Sequence, residues 1–200
     1  MSLTLDQQAL SSCFLFSSLS DSDIETLSKL CTRTTYKRGR EIFAMGDEAD
    51  GLRIITEGSV RIWMSDPQGR ELTVAMLEAG HSFGEIALLD GLPRTAAASA
   101  MEVTRCLLVP KSAIDALLET NPTFAKEVIY SLCEILRRNT DEMTAITFLS
   151  LDSRLAQKLC DLAMSHAEIA GSTARFTRKF AQTDLAKMLG VTREAVNKRL

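Results

Sequence analysis

Eight of the ten glycines of this 200-residue chain fall within residues 39–91, at positions 39, 46, 51, 58, 69, 80, 84 and 91. They separate short runs rich in β-branched and apolar residues: LRIIT, SVRIWM, ELTVAML and, farther on, VTRCLLV. No helix of ordinary length survives such spacing, so the segment reads as an all-β module. Between SVRIWM and ELTVAML lies SDPQGR, where Pro67 presets one turn dihedral and Gly69 accepts a positive φ, which predicts a hairpin. Residues 34–110 are expected to form a small antiparallel barrel or jelly roll. The stretch before it, with Phe14, Leu15, Phe16, Leu19, Ile24, Leu27 and Leu30, is expected to be helical and packed on that barrel.

The pattern then changes period. Asn121-Pro122 is a helix opening, because Asn accepts from unpaired amides and Pro is preorganised at the first helical position. No Gly or Pro follows until after Ser150, and Ile129, Leu132, Leu136, Asn139, Met143 and Ile146 succeed one another in steps of 3, 4, 3, 4 and 3. At ~1.5 Å per residue this helix runs roughly 42 Å, more than one small barrel can cover, which predicts a homodimer along the seam. A core helix buried within one subunit is the alternative. Asn139 argues against it, since a lone polar seam residue fixes register or touches a ligand. LDSRLAQKLCDLA after Leu151 reads as another amphipathic helix, followed by a Gly-Ser-Thr loop at Gly171 to Thr173.

Composition sets the class. Hydrophobic residues make up 46% and charged residues 24%, ordinary values for a globular protein of two packed modules. No apolar run approaches the roughly 20 residues that span a bilayer, and MSLTLDQQAL has no features of an export signal. The odd set Cys13, Cys31, Cys106, Cys133 and Cys160, with no CxxC pair, fits reduced thiols in the cytoplasm. The net charge of −3 hides a polarity: residues 175–200 hold seven bases against Asp184 and Glu194, a net +5 beside −8 for the rest. A solvated helix face can produce such a run, but next to an acidic body it points to a polyanionic partner.

The sharpest local signal is Phe83-Gly84-Glu85-Ile86-Ala87-Leu88-Leu89 followed by Asp90-Gly91-Leu92-Pro93-Arg94-Thr95-Ala96. Gly84 and Ala87 let a ligand approach the backbone, and a short helical turn from Glu85 aims free amides at an anion. Arg94 supplies a permanently charged fork for phosphate oxygens and Thr95 a hydroxyl. A carboxylate at contact distance repels phosphate, so Glu85 must face a hydroxyl donor such as a ribose 2′-OH. The segment asks for a sugar and a phosphate together. FGEIALLDGLPRTAAASA resembles the phosphate-binding cassette of cyclic-nucleotide-binding domains. By that resemblance Glu85 binds the ribose, Arg94 the cyclic phosphate, and Thr95 a phosphate oxygen or the base. The nine-position gap from Glu85 to Arg94 is similar to the eukaryotic cassette and one shorter than in the enterobacterial cyclic-AMP receptor.

Residues 182–200, QTDLAKMLGVTREAVNKRL, place Leu185, Ala186, Leu189, Val191, Val196 and Leu200 on two short helical faces broken at Gly190, with Thr192 as a cap. This is a helix-turn-helix pattern, whose second helix enters the major groove. Arg193, Glu194 and Lys198 are the candidate base readers, and Thr183, Lys187 and Thr192 the candidate phosphate contacts. Cassette, long seam helix and helix-turn-helix in that order resemble the bacterial cyclic-AMP receptor/fumarate-nitrate regulator superfamily of transcription factors. The resemblance implies an α+β chain. Its segments would be a cyclic-nucleotide-binding jelly roll over 1–120, a dimerisation helix over 121–150 and a DNA-binding domain over 151–200. It implies further that Asn139 and Thr140 read the base, with cyclic AMP the favoured effector, and that DNA and RNA polymerase are partners. Thr95 keeps cyclic GMP in contention. The family's recognition helix continues into a β-hairpin wing, so a module ending at Leu200 is expected to be incomplete and to bind DNA weakly.

Rival readings have less to stand on. His81 and His166 are the only histidines, no GxSxG or P-loop motif occurs, and no metal-ligand set is legible, so an enzyme is not expected. A redox or gas sensor of the same superfamily needs clustered N-terminal cysteines, where this chain has Cys13 and Cys31 alone; buried structural thiols are the expectation. A regulatory module of kinase or channel type without DNA binding is opposed by the helix-turn-helix.

Overall fold

A computed structural model describes residues 3–171, 173–177 and 179–200. The N-terminal stretch is helical in three short pieces. Helix α1 (Leu5–Ser12) is opened by a Thr4–Gln7 capping box, a single 3-10 turn covers Phe14–Phe16, and α2 (Asp21–Ser28) is capped by Ser20. Leu10, Leu15, Phe16, Ile24 and Leu27 are buried as the apolar pattern requires, but Phe14 and Leu30 are more than half exposed. Phe14 opens the 3-10 turn and Leu30 lies two residues past the end of α2, so neither is carried on a helix's inward stripe.

Eight strands follow: β1 (Thr32–Tyr36), β2 (Glu41–Phe43), β3 (Gly51–Glu57), β4 (Ser59–Ser65), β5 (Glu71–Glu78), β6 (Ser82–Phe83), β7 (Ala97–Ala100) and β8 (Thr104–Pro110). They form two four-stranded sheets, ordered β1-β8-β3-β6 and β2-β7-β4-β5. This is the jelly-roll core expected from the glycine spacing. The β4–β5 turn is closed by Gly69 N–H donating to Asp66 O at 2.9 Å and Asp66 N–H donating to Arg70 O at 3.0 Å. The period of 2 along β3 sorts its side chains: Leu52 and Ile54 join Leu107 and Val109 of β8 under the helices, while Ile55 turns inward to meet Val60, Phe83, Ala98 and Cys106.

Helix α3 (Glu85–Asp90) sits between β6 and β7, and α4 (Lys111–Thr120) leads into α5 (Pro122–Phe148), 27 residues without a break. Asn121 Oδ1 accepts from Thr123 and Phe124 N–H at 3.1 and 3.0 Å, the cap read from the sequence. Phe124 stacks on Phe16 with ring centroids 5.6 Å apart, which pins the start of α5 to the N-terminal helices.

Beyond α5 come α6 (Leu151–His166), β9 (Ala167–Ala170), β10 (Thr173–Phe176), α7 (Gln182–Leu189) and α8 (Arg193–Asn197). Strands β9 and β10, not expected from the sequence, pair on either side of the loop expected at Gly171 to Thr173; Ser172 lies outside the described residues, as does Arg178 of the basic run. Leu155, Leu162, Leu185, Ala186, Leu189 and Val196 form a separate small core. Leu200, expected on an apolar face, is exposed. The chain thus packs into two compact units, Met1–Met64 with Val74–Glu134, and Ser65–Thr73 with Ile135–Leu200. Among the described residues no helix is long and apolar enough to cross a membrane.

The thiols are not uniformly buried: Cys133 and Cys160 are exposed, whereas Cys106 is 2% exposed inside the barrel. Burial pushes the Cys106 thiol up to about 11, with nearby Arg53 pulling weakly the other way. Its folded pKa lies above the unfolded one, so the unfolded chain ionises first as pH rises, and stability present below pH ~9 is lost between ~9 and ~11. We expect the barrel to lose up to about 3 kcal/mol from this group over that interval. Urea titrations followed by Trp63 fluorescence, in reductant at pH 8 and pH 11, should show a smaller drop for Cys106→Ala. An identical drop would refute the assignment.

Candidate functional site

Strand β6 pairs with β3 in the register Arg53↔Phe83, which delivers the chain to the cassette. Gly84 then adopts φ +91° at the start of α3, and a Cβ there would lie 2.7 Å from Arg94 Nη1. The positive φ calls for glycine, and any side chain here would have to displace the Arg94 guanidinium. Ala87 and Leu88 anchor α3 in the interior, and Lys111 Nζ donates to Leu88 O at 3.0 Å. Arg94 is tied by its backbone to the loop after β2: its N–H donates to Asp47 O and its O accepts from Gly46 N–H, both at 2.8 Å.

The Arg94 side chain is almost wholly buried. Nη1 donates to Gly84 O at 2.6 Å, and Nη2 donates to Asp50 Oδ1 and Gly51 O at 3.0 Å each. Nε is buried with no hydrogen-bond partner. The guanidinium lies 4.3 Å from the centre of the Phe43 ring. Burial holds the Arg94 pKa below its ordinary value, reinforced by a second guanidinium, Arg53, while Asp50 and Glu85 oppose the shift. Arg53 is itself 6% exposed, donates to both Asp50 oxygens at 2.8 and 2.6 Å, and faces the same Phe43 ring at 5.5 Å. Although partial burial pushes the other way, Arg53 holds the Asp50 carboxyl below the usual range.

The structure thus brings Gly84, Glu85, Ala87 and Arg94 together. Glu85 is half-buried at the edge of an apolar hollow lined by Leu52, Leu88, Phe124 and Leu132, so the cassette abuts the first half of α5. Thr95 follows Arg94 at the exposed rim. Asn139 and Thr140 belong to the second unit, exposed on α5, where Thr140 Oγ1 donates to Leu136 O at 2.9 Å. Sequence reading missed Asp50, Arg53 and Phe43. The available signal was a charge at an inward position of LRIIT, three residues after an acid.

In the second unit, Gly190 ends α7 with φ +65°, and Thr192 Oγ1 accepts from Ala195 N–H at 3.2 Å to start α8. Gln182 Nε2 donates to Asn197 Oδ1 at 3.0 Å, tying the two helices. Thr183, Thr192, Arg193, Glu194 and Lys198 are exposed. Lys187 is half-buried, and its Nζ is ion-paired to Glu71 at 2.9 Å. Among the described residues no cluster of His, Cys, Asp or Glu is arranged to hold a metal ion.

Comparison with known proteins matches both modules. Residues 33–121 fit the family described as "Cyclic nucleotide-binding domain", and residues 153–200 that described as "Crp-like helix-turn-helix domain". The chain is 30% identical to the cyclic AMP receptor protein of Thermus thermophilus and 29% identical to a CRP-like cAMP-activated global transcriptional regulator of Mycobacterium tuberculosis. Each match covers 93% of this chain and 83% of the relative. The fold is similar to that of a c-di-GMP-responsive global regulator from Xanthomonas campestris, with a TM-score of 0.78 at 21% identity over 90% of each chain.

Proposed function

The chain belongs to the cyclic-AMP receptor/fumarate-nitrate regulator superfamily of transcription factors, and on that premise we propose that it is a homodimeric regulator switched by cyclic AMP, with cyclic GMP the second candidate. Arg94 carries the ligand half: a buried guanidinium with an unpartnered Nε, beside a glycine that admits no side chain, is built for a phosphate oxygen. In this reading Glu85 takes the ribose hydroxyl, Thr95 a phosphate oxygen or the base, and Asn139 with Thr140 the adenine edge. Residues 1–120 bind the effector, 121–150 dimerise, and 151–200 bind DNA. Support for the dimer comes from the apolar stripe on α5, where Ile129, Leu136, Met143 and Ile146 are all more than half exposed in the single chain. On α8, Arg193, Glu194 and Lys198 read bases, with Thr183 and Thr192 on phosphates and Lys187 joining them by exchanging its carboxylate partner for a phosphate. Effector binding biases the spacing of the two recognition helices and so the access of RNA polymerase to a promoter in the cytoplasm.

A redox-sensing role finds no support in the N-terminal thiols. Burial raises the pKa of Cys13, and pushes Cys31 to about 11 with help from Asp6, which makes their thiolates scarce.

Competition against a fluorescent cyclic nucleotide tests the effector. Cyclic AMP is expected to outcompete cyclic GMP and cyclic di-GMP by at least about tenfold, ~1.4 kcal/mol. A tenfold preference for either of the others reverses the choice, and displacement by none of the three overturns the ligand reading.

A further inference from the structure

Two guanidiniums share one carboxylate beneath the cassette. Asp50 accepts a two-pronged ion pair from Arg53, at 2.8 and 2.6 Å, and only one longer bond from Arg94, at 3.0 Å. Arg53 sits on the inward register of β3 with Ile55, where an apolar residue would pack more cheaply against Phe43. Its burial is therefore a cost, offset in part by Tyr36, and among the described residues the carboxylate that it holds is the one that also touches Arg94.

We propose that Arg53 is a positioning residue for the phosphate site: by engaging both oxygens of Asp50, it keeps that carboxylate from clasping Arg94 and leaves the Arg94 charge for a singly charged cyclic phosphodiester. The inference rests on the ligand reading above. Asp50 is about half exposed and lies within reach of Arg94 Nη2 already. Without Arg53 the two-pronged pair that holds both Asp50 oxygens is gone, and a bidentate Asp50–Arg94 pair would rival the ligand phosphate for the Arg94 guanidinium. Glu85, the other carboxylate within electrostatic reach of Arg94, serves the sugar in this scheme. The arrangement also accounts for Asp50 itself, which fixes the orientation of Arg94 at the rim while most of its charge is spent on Arg53.

A double-mutant cycle on the full chain, read by calorimetric titration with cyclic AMP, separates this role from simple structural support. Arg53→Gln is expected to weaken binding about tenfold, Asp50→Asn to change it by less than about threefold, and Arg53→Gln with Asp50→Asn to return to within about threefold of Asp50→Asn alone. A merely structural Arg53 would leave the double variant as weak as the single one, and that result overturns the proposal, as does unchanged binding by Arg53→Gln. Should circular dichroism show Arg53→Gln unfolded, the same cycle with Arg53→Lys, which keeps the charge and loses the fork, must show the same relief by Asp50→Asn. Arg94→Ala distinguishes the two failures. If it binds like the unsubstituted chain, the ligand reading is wrong; if it is weak while Arg53→Gln is unaffected, only the role of Arg53 falls. No binding of cyclic AMP by the unsubstituted chain overturns both.

Discussion

Replacing Arg94 with alanine is expected to remove most of the affinity for a cyclic nucleotide, a loss of about 2–5 kcal/mol, or roughly thirtyfold to several thousandfold. The size of the effect follows from burial. A charge-assisted contact at an exposed arginine is diluted by water, whereas Arg94 is 3% exposed. The substitution also leaves Gly84 O and Gly51 O without their donor, so a thermal melt must accompany the titration. Lysine at this position should rescue only in part. One ammonium on a flexible stem cannot hold Gly84 O, Gly51 O and Asp50 and also meet a phosphate. Equal binding by the parent chain and Arg94→Ala, measured by calorimetry, would remove the assignment of the cassette.

The second large effect is expected at Leu136. Its side chain is 66% exposed in the single chain, so glutamate there disturbs no packing within the protomer. Across a dimer seam it would set two carboxylates against each other in an apolar strip, both stripped of water. We expect dissociation to become at least about a hundredfold easier, ~3 kcal/mol, with an unchanged circular dichroism spectrum. Sedimentation velocity at micromolar concentration should find a monomer where the parent chain is a dimer. An undisturbed dimer would place the interface elsewhere.

What could be read in advance was whatever a short stretch of chain decides for itself. The Asn121 cap, the Thr192 cap, the Asp66–Arg70 turn and the left-handed glycine of the cassette each depend on a few adjacent residues, and all are present. The alternation that makes a jelly roll and the 3–4 spacing of α5 are local in the same sense. Contacts between distant residues were not legible. Arg53 hides in an apolar run because nothing in LRIIT says that Asp50 and Arg94 will meet it inside a barrel. The partner of Lys187 is 116 positions away in sequence. The β9–β10 hairpin escaped because AEIA and TARF have too few β-branched residues to declare a strand, and pairing with each other is what makes them one. Phe14 and Leu30 differ for a further reason: the apolar pattern does not fix where a short helix ends, and these two fall in a 3-10 turn and just past α2.

The unbroken α5 also has a mechanical meaning. Its first half, including Phe124 and Val128, is clamped in the core of the first unit, and its second half lies in the other unit with no glycine or proline between them. At ~1.5 Å per residue the 27 residues form a stiff rod of about 40 Å. A tilt of about 10° at the Pro122 end would sweep Phe148 through about 7 Å, close to the rise of two base pairs. Recognition helices that must meet major grooves one helical turn apart, about 34 Å, tolerate little error of that kind. The same tilt moves Leu132, about 15 Å along the axis from Pro122, by only about 2.6 Å beside the hollow at Glu85, so the rod multiplies a movement there roughly 2.6-fold before it reaches the end that DNA would measure.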